Sequence, residues 1–192
     1  MTDLKREESG ARPSSGRAFL KRQPFVLPGL KAQLVFWPLM TIGLALDLWS
    51  KSAVFDWLQQ RNSVSIIDGF LQIVAVENAG AAFGIAIGRH YLLAFSVIAL
   101  IVIFTIFLFS TAGPISVHIA LGLLAAGVCG NFYDRIFNAG SVRDFIDVAY
   151  WPGRHWPAFN IADTMLCVGV GLLIISGFLS EKSARRRARK HR

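Results

Sequence analysis

Tyr91-Leu92-Leu93-Ala94-Phe95-Ser96-Val97-Ile98-Ala99-Leu100-Ile101-Val102-Ile103-Phe104-Thr105-Ile106-Phe107-Leu108-Phe109 carries no charged residue. It matches the roughly 20 apolar residues that a helix needs to cross a bilayer. A second run, Ile115–Tyr133, follows after Ser110-Thr111-Ala112-Gly113-Pro114, a short uncharged break suited to a tight turn between antiparallel helices. Further out lie two more such runs, Ile161–Leu179 and, on the N-terminal side, Leu34–Trp49. Four runs of this length predict a membrane α-helical bundle of four transmembrane helices. In the third run Gly122, Ala126 and Gly130 recur every four residues. That stripe lets a neighbouring helix approach closely and places the third helix at the bundle centre.

Composition agrees. Of the 192 residues 54% are hydrophobic and the mean hydropathy is +0.49, too apolar for an ordinary soluble domain. The pI near 10.1 raises nucleic acid as a partner, but the placement of the charge argues otherwise. Of the 20 Lys and Arg, seven precede the first apolar run, seven follow the last and six are scattered between. Basic residues outside the terminal spans predict cytoplasmic termini held against anionic headgroups, with membrane lipids and no nucleic acid as partners. Residues 1–31 read as a disordered basic tail, 32–180 as the membrane domain and 181–192 as a second basic tail. A cleaved signal peptide is the weaker reading of the start, since no convincing A-x-A site follows.

Between the first two runs, Ser63–Glu77 is rich in Val and Ile and is interrupted by Asp68-Gly69. This predicts a small β-element outside the membrane, opposite the termini, built on a two-residue hairpin turn. Tyr150-Trp151-Pro152-Gly153-Arg154-His155-Trp156-Pro157 has the aromatic density of a segment lying along the membrane interface. Cys129 and Cys167 fall inside apolar runs and read as small buried residues. The four histidines show no metalloprotease spacing, and no G-x-S-x-G or Walker sequence occurs.

With the N-terminus inside, the first helix runs outward and the rest alternate. Asp47 and Lys51 then fall at the outer end of helix one and Asn78 in the outer loop. Asn131, Asp134 and Arg135 fall at the outer end of helix three, Asp144 and Asp147 in the loop beyond, and Asn160 and Asp163 at the start of helix four. All reach one face. Asn131, Asp134 and Arg135 share a helical face by spacing, as do Asn160 and Asp163. A carboxylate about one turn into an apolar helix is a functional candidate. Simpler readings stand beside this one. Asn160 can be only an N-cap, with Asp163 favouring the helix dipole. Asp134–Arg135 can be a structural ion pair, Asp47–Lys51 an i, i+4 pair setting depth, and Asp147 merely solvated. What these readings explain poorly is so many such groups on one face of a small protein.

Asp47-x-x-Ser50-Lys51, Asn78-x-Gly80-Ala81-Ala82-Phe83, Gly130-Asn131-x-x-Asp134-Arg135, Val142-x-Asp144-Phe145 and Phe159-Asn160-x-Ala162-Asp163 occur in the order seen in bacterial lipoprotein signal peptidases, signal peptidase II. Over residues 34–180 the chain resembles that family. The resemblance implies a multi-pass aspartic endopeptidase of the bacterial inner membrane with its active site at the outer face. It would remove signal peptides from diacylglyceryl-modified prolipoproteins, cutting before the lipidated cysteine. By motif position the catalytic pair is Asp144 and Asp163. Asn78, Gly80, Asn131, Asp134, Arg135 and Asn160 support site or substrate, and Asp47 and Lys51 are structural. The chain departs from the pattern at Ala126, where Gly is common, and at Arg143, where an apolar residue is usual.

The chemistry stands without the name. Two nearby carboxyl groups share one proton near neutral pH. The ionised member can activate water and the protonated one can donate to the developing oxyanion, with neither metal nor cofactor required. Which aspartate is base stays open, because a coupled pair titrates as a unit. A monomer is expected. The rival intramembrane peptidases of the G-x-G-D type lack their motif here. A small proton- or cation-coupled transporter or assembly factor is the non-peptidase alternative, although inverted repeats and broken helices are not evident.

Overall fold

The computed structural model describes residues 27–59, 61, 63–82, 85–86, 88–110 and 113–190. Most of the basic tail expected over 1–31 lies outside them, as do Phe83 and Gly84. Four helices form the body: α1 Leu30–Leu58, α2 Arg89–Phe109, α3 Ile115–Phe137 and α4 Ile161–Lys190. All four are long and apolar enough to cross a membrane. Large apolar side chains stand exposed around the bundle, among them Leu34, Ile42, Phe95, Ile98, Ile101 and Ile174. Such a surface is stable against lipid and not against water.

The helix centred on the small-residue stripe packs against the other three. A Cβ at Gly122 would come within 3.1 Å of the Phe36 carbonyl oxygen, so a side chain there would push α1 and α3 apart by a few tenths of an ångström. The core at the end where α1 begins gathers Phe36, Ile103, Phe107, Leu121 and Ala125, and the Phe36 and Phe107 rings stack with centroids 3.9 Å apart. All four helices run further than their apolar runs, two of them by more than two turns at the far end. α1 continues past Trp49 to Leu58, and α4 continues to Lys190, so residues expected in the C-terminal tail are helical.

At the opposite end, where α1 and α3 finish and α2 and α4 begin, sits the β-element. Its strands are β1 Ser63–Ile67, β2 Leu71–Asn78, β5 Val142–Trp151 and β6 Arg154–His155, in the order β1-β2-β5-β6. A small separate hairpin pairs β3 Ala81–Ala82 with β4 Ile85–Ala86. The β1–β2 turn falls at Asp68-Gly69 as expected, with Gly69 at φ +72°. It spans three residues, because Ile67 pairs with Leu71. The sequence reading missed β5. The segment taken as a loop after helix three is a ten-residue strand paired antiparallel with β2, Asn78 opposite Val142 and Val76 opposite Asp144. The aromatic segment after it turns at Gly153 into β6, leaving Tyr150, Trp151 and Trp156 exposed where an interfacial belt belongs.

Candidate active site

β5 is held to the start of α4 by backbone bonds. The amides of Phe145 and Ile146 donate to the Phe159 carbonyl oxygen at 3.0 and 2.8 Å, and Phe159 N–H returns to Ile146 at 3.0 Å. These bonds bring the strand residue Asp144 against Asn160. There α4 opens with a reciprocal cap. Asp163 N–H donates to Asn160 Oδ1 at 3.0 Å and Asn160 N–H donates to Asp163 Oδ2 at 3.2 Å. The capping reading of these two residues is therefore correct, and it does not exhaust them.

Asn160 also donates its side-chain amide to Asp144 Oδ1 at 2.7 Å and to Asn131 Oδ1 at 3.1 Å. Asn131 donates in turn to Asp163 Oδ1 at 2.7 Å. The other oxygen of Asp144 accepts from Asn78 Nδ2 at 3.1 Å. Asn78 is fixed by the turn after β2, where Gly80, at φ +97°, donates its N–H to Asn78 Oδ1 at 2.9 Å. That backbone conformation suits glycine and strains other residues.

Beneath the amides lies a layer of charge. The Lys51 ammonium lies 2.7 Å from Asp47 and 3.3 Å from Asp134, and it donates to Asn131 Oδ1 at 3.1 Å. An ammonium has only donors. Its neighbour on Asn131 is therefore the oxygen, which turns the Asn131 NH2 toward Asp163. Asp47 accepts the Ala162 amide at 2.9 Å, taking up one of the free N–H groups at the start of α4. A Cβ at Gly130 would run into this Asp47 carboxylate, so the glycine before Asn131 is needed for the charge layer as well as for close helix packing.

The expected Asp134–Arg135 ion pair is not formed. Asp134 pairs with Arg143, whose NH2 lies 2.7 Å from Asp134 Oδ1. Nε donates to the same oxygen at 3.2 Å, while the Arg143 amide donates to Asp134 Oδ2 at 3.0 Å. Spacing alone could not choose between Arg135 and Arg143, because β5 folds back over the end of α3. The Arg143 guanidinium also reaches Ser52 Oγ on α1 at 3.2 Å. Asp147 is likewise not merely solvated: it sits 2.9 Å from His155 Nδ1. Asp47 and Lys51 form the i, i+4 pair expected, but at 0% exposure they are a buried part of the site and not a depth marker.

Arg135 points elsewhere. One guanidinium N–H donates to the Asn131 carbonyl at 3.3 Å, and its buried Nε has no hydrogen-bond partner. With Asp163 and Asn131 it lines a cavity of about 300 Å3 walled by Leu92, Phe95 and Leu166. Asp144 is almost wholly buried. Burial pushes its carboxyl up to about 6, against the amide N–H of Asn78; the nearby Asp163 charge pushes the same way, while Asn160 and Lys51 oppose it.

Two carboxyl groups thus share one amide network beside a cavity with an underused guanidinium. Every site residue expected from sequence lies within this network or directly against it. Arg143 and Ser52 were not anticipated. Residues 39–179 match the family model described as Signal peptidase (SPase) II. The lipoprotein signal peptidase of Syntrophotalea carbinolica is 36% identical over 140 residues, covering 71% of this chain and 86% of that one. That of Syntrophomonas wolfei is 38% identical over 156 residues, covering 80% and 99%. A bacterial membrane enzyme solved by the in meso method is similar in structure, with a TM-score of 0.65 and 30% identity over 82% of this chain and 93% of that one.

Proposed function

This chain belongs to the signal peptidase II family, and from that premise we propose that Asp144 and Asp163 are its catalytic pair. The protein is a multi-pass membrane peptidase, a lipoprotein signal peptidase; the finer reading is that it is an aspartic one. The observation that carries this is the amide network, in which Asn160 donates to one oxygen of Asp144 and Asn131 to one oxygen of Asp163, with Asn160 bonded to Asn131 between them.

A buried pair in this setting holds one proton between its members near neutral pH. Water, deprotonated by the ionised carboxylate, attacks the scissile carbonyl carbon and forms the new C–O bond. The protonated carboxyl gives its proton to the carbonyl oxygen. When the C–N bond breaks, the departing nitrogen takes a proton from the carboxyl group that gained one. A hydroxyl of the gem-diol returns its proton to the other carboxylate, which leaves a carboxylic acid product and restores the single shared proton. The Arg135 guanidinium, with donors to spare, binds a substrate carbonyl in the adjoining cavity. The substrate is a prolipoprotein carrying a diacylglyceryl cysteine, cut just before that residue. Both ends of the chain lie in the cytoplasm, and the pair works at the outer surface of the bacterial inner membrane.

The test is cleavage of a diacylglyceryl-modified precursor by purified protein, read as a product with a new N-terminal cysteine. Asp144→Asn and Asp163→Asn should each lower turnover by at least about 10^3-fold while the melting profile stays cooperative. Near-normal turnover in either variant removes that residue from the pair.

A further inference from the structure

The end of α4 remote from the peptidase site carries a face that cleavage does not use. Ile175, Phe178 and Leu179 stand exposed on α4 at 56%, 69% and 61%. One turn further on, Lys182, Arg185 and Arg186 follow at the spacing that keeps them on the Phe178 side of the helix. The membrane-crossing stretch ends at Lys182, yet the helix runs on through Arg185-Arg186-Arg187-Ala188-Arg189-Lys190. Phe178, Glu181, Lys182, Arg185 and Arg186 together line a groove of about 620 Å3. Glu181 pairs with Arg185, so among the described residues three cations and one anion give the groove a net charge of +2.

We propose that this groove is a binding site for an anionic phospholipid. The apolar half of the face takes the acyl chains, and the Lys182, Arg185 and Arg186 side chains take the headgroup phosphate. Nucleic acid would match the charge but not the apolar half, which lies in the membrane-crossing part of the helix. A helix that leaves the bilayer with its first basic residues at the surface puts cations where an anionic headgroup lies. The site is independent of the peptidase reading.

The test uses the full chain in detergent micelles holding equal amounts of phosphatidylglycerol and phosphatidylcholine, with bound lipid read by native mass spectrometry. The wild type should retain phosphatidylglycerol in preference. At about fivefold per net charge near the surface, the groove gives about thirtyfold at low salt, and the preference should shrink as salt rises. R185Q/R186Q takes the groove from +2 to zero and should abolish the preference. R61Q/R154Q removes two exposed arginines from the opposite end and should leave it intact. Equal retention of both lipids by the wild type overturns the proposal. So does a preference that survives R185Q/R186Q or is lost as fully in R61Q/R154Q. Should a single-stranded RNA oligomer displace phosphatidylglycerol and need the same two arginines, the patch belongs to nucleic acid instead. Both arginines are exposed, so unchanged precursor cleavage by R185Q/R186Q will show that the variant is folded.

Discussion

Asp144 accepts an amide N–H on each of its oxygens and still titrates near 6, because burial outweighs both bonds. The unfolded value is 3.8, so the folded form holds its proton more tightly. The resulting stabilisation is complete below pH 3.8 and is lost as pH rises through about 6. Thermal melts should therefore show the wild type gaining stability between pH 7 and pH 5, by about 1 kcal/mol. Asp144→Asn should lack that increment; an identical pH response in both proteins would mean that Asp144 is not the group titrating. With Asp144 in the proposed pair, the same proton should set the alkaline limb of kcat/KM. Asn78→Ala removes a bond that favours the carboxylate, so it should move the limb to higher pH.

Arg143 offers a sharper residue test. Its guanidinium joins Ser52 to Asp134 directly before Asp144. Arg143→Met leaves part of the Asp134 charge uncompensated and should cost about 3 kcal/mol in unfolding experiments, with turnover falling as well. Arg143→Lys restores charge but not the two-pronged geometry and should recover only part of the loss. The aspartates were legible in the sequence because carboxylates are conspicuous beside apolar runs. Arg143 was not, since its partners lie across the fold and nothing local separates it from Arg135.

Among the elements, α4 shows how one residue can serve two levels of structure. Asn160 caps the helix and also orients Asp144. Asn160→Ser keeps a capping oxygen but loses the amide bond to Asp144. It should melt about 1 kcal/mol above Asn160→Ala, while both variants lose precursor cleavage to a similar degree. Cleavage that recovers along with stability in the serine variant would reduce Asn160 to a cap alone. The β1–β2 hairpin was legible because Asp68-Gly69 is a local signal. The pairing of β2 with β5 was not, because Glu77 meets Arg143 far along the chain and Val142–Trp151 shows no clean alternation. The helices were the most legible elements. Their excess lengths were not, because Lys51 and Asp56 interrupt the apolar run at the end of α1 and the residues added to α4 after Leu179 are mostly polar and charged.

For the whole molecule, the ordinary distribution of polarity is inverted. Apolar side chains face outward, while Asp47, Lys51 and Asp134 are buried in the interior with at most 1% exposure. With Arg143 they form a neutral set of two acids and two bases. Lys51→Met breaks that balance and should destabilise by about 3–5 kcal/mol. Asp47→Leu with Lys51→Met restores it and should be less damaging than the sum of the two single changes, as judged by unfolding in a denaturing detergent. Additive losses would mean that the four charges do not act as one set.

The bond from Ala162 to Asp47 joins the fourth helix to the first across 115 positions. During synthesis the first three helices are made before this partner exists. Until the last helix leaves the ribosome and enters the bilayer, Asp47 lacks an amide and Asp144 lacks its strut. With Asp163 in the proposed pair, the nascent chain should be inert toward every precursor around it, and a copy truncated after α3 should leave Asp47 without the Ala162 amide. On the proposed pair, catalytic competence and completion of the fourth helix should arrive together.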